Sequence, residues 1–336
     1  MAGRRRGSRD EVEPGLPRPS DDGLGREQVA DIQRARMLAA MAEVASERGA
    51  SNVTVAQVVA RSGVSRRTFY ELFEDREDCF LAAFDDGIAR IANEVIPAYE
   101  GAGRWRQRIR AGLTALLEIL DYEPGIGRLV IVETLGAGPK ALERRRRVLA
   151  QVITAVDEGR RDAKGSDGPP PLTAEGVVGG VLAVLHGRLV EQNTGRRVAC
   201  PRVGELVNPL MSMIVLSYLG PAAARKELAR PVPKTPARPR PANSDPLRDL
   251  EMRLTYRTVR VLMAVAANPG SSNRQVADGA GIKDQGQISK LLARLKRLGL
   301  IENTGVGPAK GAPNAWTLTE RGRAAHGAIA EQTSRS

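Results

Sequence analysis

Apolar residues in this chain recur mainly at three- and four-residue intervals, and that spacing predicts helices almost throughout. In residues 34–49, Met37, Leu38, Met41, Val44 and Ala45 share one helical face, and Gly49 stands where a glycine commonly ends a helix. Thr54 precedes VAQVVARSG; its hydroxyl suits an N-cap, and Gln57 sits at the capping-box offset. Val55, Val58 and Val59 point into a core, and Gly63 marks a sharp turn, because glycine reaches positive φ without steric cost. Ser65 then caps RRTFYELF, which turns Phe69, Leu72 and Phe73 inward and leaves Arg66, Arg67, Thr68 and Tyr70 facing outward.

Residues 75–220 read as a stack of further helices. RWRQRIRAGLTALLEIL places Ile109, Leu113, Leu116, Leu117 and Leu120 at helical spacing. In AEGVVGGVLAVLHGRLVEQ, Val178, Leu182, Leu185 and Leu189 form one stripe with Val177, Val181 and Val184 beside it, and Gly180 and Gly187 would admit a close helix neighbour. VGELVNPLMSMIVLSYL is apolar nearly all round from Leu210 onward, which predicts burial on more than one side. Pro209 implies a kink or a late start there.

Punctuation divides the chain. Residues 1–25 are rich in Pro, Gly, Arg and Asp without apolar period and read as a disordered tail. Residues 221–245 repeat Pro and read as an extended linker. Beyond it, LRDLEMRLTYRTVRVLMAVAAN is an amphipathic helix, Ser272 caps NRQVADGAG with Gln275 at the capping-box offset, and Gly281 turns the chain. DQGQISKLLARLKRLGLI follows as a longer helix with Ile288, Leu291, Leu292, Leu295 and Leu298 inward and Gln285, Gln287, Ser289, Lys290 and Arg294 outward. The remainder reads as strand, glycine-rich loop carrying Lys310, strand and closing helix.

Composition narrows the class. Hydrophobic residues make up 42% of the 336 and charged residues 27%, as in a globular protein. No uninterrupted apolar run reaches the roughly 18 residues of a membrane span, and no apolar stretch follows the basic start, so neither a membrane partner nor a secretory signal is expected. Cys79 and Cys200 make no disulfide framework, and the reducing cytoplasm is the expected location. The net charge of +12 favours a polyanion. It is unevenly held: residues 26–92 carry 9 basic against 11 acidic side chains, residues 246–336 carry 14 against 7. With two distant histidines, no metal-ligand spacing, no phosphate loop and no nucleophile motif, neither catalysis, a cofactor nor a metal is expected.

Two capped helices joined at a glycine turn suit duplex DNA. The N-terminal residues of the second helix reach base edges in a major groove, where Arg66 and Arg67 can donate to guanine or phosphate and Tyr70 to phosphate, with Arg76 gripping the backbone. The stretch from Arg34 to Phe84 resembles the DNA-binding domain of the TetR family: helix, Gly, Thr cap, Gly-Val-Ser turn, Thr-Phe-Tyr and Phe at fixed offsets, then a capped long helix. Arg67 stands where a small residue is common, Arg76 replaces the usual lysine, and Val59 and Ser62 replace alanines. The resemblance implies that Thr54, Ser65 and Arg76 touch phosphates and that Arg66, Arg67 and Thr68 face bases, with Tyr70 on phosphate or a thymine methyl. It further implies a small-molecule pocket in the helical domain, whose unidentified ligand releases DNA, and a homodimer joined through the last two helices, here Val178, Leu182, Leu185, Leu189, Leu210 and Ile214.

The segment from 246 onward resembles a winged helix-turn-helix of the MarR type, which implies further DNA contacts from Gln285, Gln287, Ser289, Lys290, Arg294 and Lys310. The fold class expected is therefore all-α, a TetR-like head and helical ligand and dimerisation domain followed by a winged helix with a small β-wing. The layout is a tail at 1–25, the first head at 26–75, the helical domain at 76–220, the linker at 221–245 and the winged domain at 246–330. The function expected is a dimeric repressor of transcription that binds double-stranded DNA; an adaptor whose winged helix binds protein is the alternative.

Overall fold

Side-chain caps mark where five of the described helices begin. In the computed structural model, which describes residues 26–163, 168–192, 202–231, 256–305 and 314–334, the chain divides into two compact units, one within Ala30–Leu254 and one within Thr255–Glu331. The expected tail, Lys310 and residues 246–255 lie outside the described residues.

The larger unit opens with α1 (Arg26–Arg48), α2 (Val55–Ser62), α3 (Arg66–Leu72) and α4 (Arg76–Glu100). Thr54 and Gln57 close the capping box on α2, Ser65 accepts from the Thr68 amide to start α3, and Asp75 accepts from the Asp78 amide to start α4. Gly63 holds φ at +66° between α2 and α3, a left-handed conformation that a side chain would strain. These elements close around Met37, Met41, Val58, Phe69, Phe73, Phe80 and Phe84, all buried. Each such large side chain contributes about 1.5–3 kcal/mol when fully removed from water.

The helical stack continues with α5 (Trp105–Tyr122), the short α6 (Pro124–Gly127), α7 (Pro139–Asp157), α8 (Thr173–Glu191) and α9 (Val207–Leu228). A π-turn at Arg128–Val132 and a 3-10 turn at Glu133–Gly136 join α6 to α7. The second core gathers Trp105, Leu117 and Leu120 of α5, Val178, Leu185 and Leu189 of α8, and Leu210, Met211, Ile214 and Tyr218 of α9.

Two expectations change here. Pro209 marks a late start rather than a kink: it sits in the first turn of α9, where its missing N–H leaves no bond unmade. The interruption comes instead at Gly220, with φ +77° and ψ 179°, and the chain is helical again through Leu228. Residues 221–228, expected to open the linker, therefore belong to the helical unit, with Ala224 and Glu227 buried. By length and hydropathy, Thr173–Glu191 and Val203–Leu228 are each long and apolar enough to cross a bilayer. Their inner faces pack into the core just described.

The smaller unit holds α10 (Tyr256–Ala267), α11 (Asn273–Ala280), α12 (Gln285–Arg297), β1 (Ile301–Asn303), β2 (Trp316–Leu318) and α13 (Glu320–Ser334). Ser272 and Gln275 form a second capping box, Gly281 repeats the left-handed turn at φ +64°, and Asp284 caps α12 by accepting from Gly286 and Gln287. The strands pair antiparallel, Ile301 opposite Leu318 and Asn303 opposite Trp316, and Ser271 bridges to Trp316 beside them. Val259, Leu262, Val276, Ile288, Leu292, Leu295 and Ile301 are buried in this unit.

Candidate nucleic-acid interface

Helix α3 is anchored on one side and open on the other. Phe69 and Phe73 lie in the core with ring centroids 5.4 Å apart, and Phe69 meets the Tyr70 ring edge-on at 5.4 Å. On the opposite side Arg66 and Arg67 are exposed and Tyr70 is 51% exposed. The Arg66 guanidinium lies 5.8 Å from the centre of the Tyr70 ring, a cation–π pairing that orients both side chains.

The polar side chains around α3 are already partly engaged. Ser65 Oγ accepts from the Thr68 amide at 3.0 Å and lies 2.8 Å from Thr68 Oγ1, so both hydroxyls serve the cap. Thr54 is exposed at the start of α2, its own amide donating to Gln57 Oε1 at 2.8 Å. Arg67 donates to Glu71 at 2.8 Å one turn along, which pushes the guanidinium pKa further up. Arg76 is half-buried and donates to the carbonyls of Ala50 and Ser51 at 2.8 and 3.4 Å, bracing the turn that follows α1. Arg61, which adds to the local positive count in the sequence, is bound by Glu47 through two 2.7 Å hydrogen bonds and by Glu43 at 3.1 Å. Those carboxylates raise its pKa and cancel its charge locally.

Sequence reasoning missed the joint between this head and the helical stack. Glu133 is buried; its Oε2 accepts from the Ala50 amide at 3.1 Å and its Oε1 from Arg128 at 3.0 Å. Arg128 also donates to the carbonyls of Ser46 at the end of α1 and Leu189 near the end of α8, at 3.1 and 2.9 Å. The π-turn carries Arg128, and such turns recur where helices bear functional groups.

Of the residues expected at a dimer contact, Val178, Leu185, Leu189, Leu210 and Ile214 are buried in the chain's own core and Leu182 packs against it. The outward side of α8 holds Gly176, Gly179, Ala183 and Val184, and that of α9 holds Leu216. Gly187 has open space beyond its Cα, and Gly180 faces only the side chain of Met213.

In the smaller unit, Gln285, Gln287, Ser289, Lys290 and Arg294 are all exposed on α12. Gln287 Oε1 accepts from Arg257 of α10 at 2.9 Å, so one of its two base-reading groups is occupied. Asn273 Oδ1 accepts from Trp316 Nε1 at 2.6 Å and Asn314 Nδ2 at 3.0 Å, pinning the strand pair to the start of α11.

Capped helix pairs joined at a left-handed glycine, each with a polar outer face, make the chain a helix-turn-helix protein. Residues 37–83 match the family model of bacterial regulatory proteins, tetR family. A curated relative, the HTH-type transcriptional activator FasR of Mycolicibacterium smegmatis, is 27% identical over 127 residues, covering 38% of this chain and 55% of that protein. The chain thus spans about half the length of the curated relative it matches. Among solved structures, a TetR family transcription regulator from Marinobacter aquaeolei VT8 is 22% identical, covering 57% of this chain and 98% of that one at a TM-score of 0.45. FadR from Bacillus subtilis, solved with stearoyl-CoA, is 13% identical, covering 54% and 97% at a TM-score of 0.46. The family-model match falls on the segment that holds α2 and α3.

Proposed function

We propose that this chain is a sequence-specific, DNA-binding transcription regulator that acts in the cytoplasm as a homodimer and presents α3 to a major groove once per protomer. The observation carrying this reading is α3 itself: capped at Ser65, fixed through Phe69 and Phe73, and exposing Arg66, Arg67 and Tyr70 together. Arg66 and Arg67 reach base edges, Tyr70 and Thr54 reach phosphates, and Ser65, Thr68 and Arg76 act mainly by holding the helix and turn in place.

A dimer is supported by the apolar outward side of α8 and α9, around Val184 and Leu216. The helical stack is the expected seat of a small-molecule ligand, and the Arg128–Glu133 joint is the contact through which its binding would loosen the head and release DNA. The winged unit adds a second DNA-reading helix, α12. Repression is the expected outcome, although FasR is named an activator; the sign depends on where the operator lies relative to the promoter.

Selection of bound duplexes from a random-sequence pool tests the reading. Full-length protein is expected to enrich a two-fold symmetric site, and Arg66→Ala with Arg67→Ala to lose that enrichment while keeping the fold. A monomer that enriches no sequence overturns it.

A further inference from the structure

The two helix-turn-helix units spend their cations differently. In the first head Arg61 is held by Glu43 and Glu47, Arg67 by Glu71, and Arg76 by two backbone carbonyls. Glu74, Asp75, Glu77 and Asp78 follow α3 at once. A head so balanced has little long-range attraction for a polyanion.

Helix α12 is built the other way. Lys290, Arg294, Lys296 and Arg297 are all exposed, and among the described residues none of the four joins an ion pair. Asp284, the carboxylate that precedes α12, is spent on the amides of Gly286 and Gln287. Opposite the buried stripe of Ile288, Leu292 and Leu295, the residues Gly286, Lys290, Ala293 and Arg297 recur at i, i+4, i+7 and i+11. Arg294 flanks that line on one side and Lys296 on the other. Gly286 and Ala293 carry almost no side chain, so the backbone can approach base edges closely. The flanking cations then reach toward both rows of phosphates, and their contacts are independent of sequence.

We propose that α12, through Lys290, Arg294, Lys296 and Arg297, supplies most of the phosphate attraction of the whole protein, while α3 mainly chooses the sequence. The winged unit is the arm that finds and holds DNA of any sequence, and the TetR-type head is the arm that discriminates. This rests on the reading of both units as DNA-binding.

Anisotropy titration of the full-length protein against a random-sequence duplex, repeated over a salt series, tests the proposal. Removing three cations by Lys290→Ala, Arg294→Ala and Arg297→Ala should flatten the dependence of log affinity on log salt by about three units, near one per cation. Arg66→Ala with Arg67→Ala should flatten it by about one unit, because Arg67 is already paired with Glu71 and Arg66 alone remains to count. The α12 side chains are exposed, so the fold should survive; should the triple variant melt early, the single changes Lys290→Gln and Arg297→Gln, about one unit each, give the same reading. A slope untouched by the α12 changes, or flattened as much by those in α3, overturns the proposal. DNA binding by the first head would then stand, and the winged unit would be left to a protein partner. A wild-type chain that ignores duplex DNA at low salt takes down both this proposal and the function it rests on.

Discussion

Arg110 donates through Nε and Nη2 to Glu227 Oε2 at 2.9 and 2.6 Å, tying α5 to the last turns of α9 beyond the Gly220 break. Glu227 is 0% exposed, and Arg106 and Arg230 lie 3.5 and 3.7 Å from its carboxylate. Asn208 completes the cluster, accepting from Arg110 at 2.9 Å and donating to the Arg230 carbonyl at 2.6 Å. Removing one partner of a buried pair leaves a charge without compensation. Arg110→Ala is expected to cost about 3 kcal/mol in urea unfolding, with Arg106 and Arg230 keeping it near the lower end of the range for such pairs.

The Arg67–Glu71 bridge lowers the positive potential of α3. Glu71→Ala frees the guanidinium and removes a like charge from the approach of phosphate. Affinity for a bound site should rise about two- to five-fold at low salt, with the gain shrinking as salt increases. Unchanged affinity in a salt-series titration would place Arg67 away from the DNA.

The outward and inward sides of α8 and α9 should respond in opposite ways. Val184→Asp and Leu216→Asp lie on outward surface and are expected to give folded monomers by light scattering. Leu185→Asp buries a carboxylate in the core and is expected to abolish cooperative unfolding altogether.

At the joint, Arg128→Met leaves the buried Glu133 carboxylate with the Ala50 amide as its remaining partner at 3.1 Å. The expected loss is about 2–4 kcal/mol. Amide exchange should quicken around Ala50 first, because that amide is the one Glu133 holds.

Burial pushes the Cys79 thiol up to about 12, so it stays protonated across the physiological range. The native protein should resist alkylation at Cys79 at pH 8, and denaturant should make it react. Its native pKa lies above the ordinary thiol value near 9.0, so the native state keeps a proton that the unfolded chain gives up. Stability should therefore fall as pH rises from about 9 toward 12.

The turn chemistry of both capped helix pairs is legible in short windows. Thr54 with Gln57, Ser65 with Thr68, Ser272 with Gln275, and the glycines at 63 and 281 act over three to five residues. Partners far apart in sequence leave no such trace. Arg61 finds Glu43 and Glu47 only because α2 folds back on α1, and Glu133 reaches Ala50 across 83 residues. The stripe on α8 was ambiguous for a different reason. Val177, Val181 and Val184 lie beside the stripe of Val178, Leu182, Leu185 and Leu189, so the apolar arc is broad and periodicity alone cannot say which part of it turns inward. Pro221 reads as a stop, yet proline fits the first turn of a new helical segment, and the chain after Gly220 uses it so.

The outward side of α8, with its glycines, Ala183 and Val184 turned to water, has a consequence for abundance. Apolar surface of that kind gains by being covered, and covering it by self-association depends on how many copies a cell holds. In the proposed dimer, dilution would separate the two copies with no ligand bound, and expression level would itself become an input to the proposed switch.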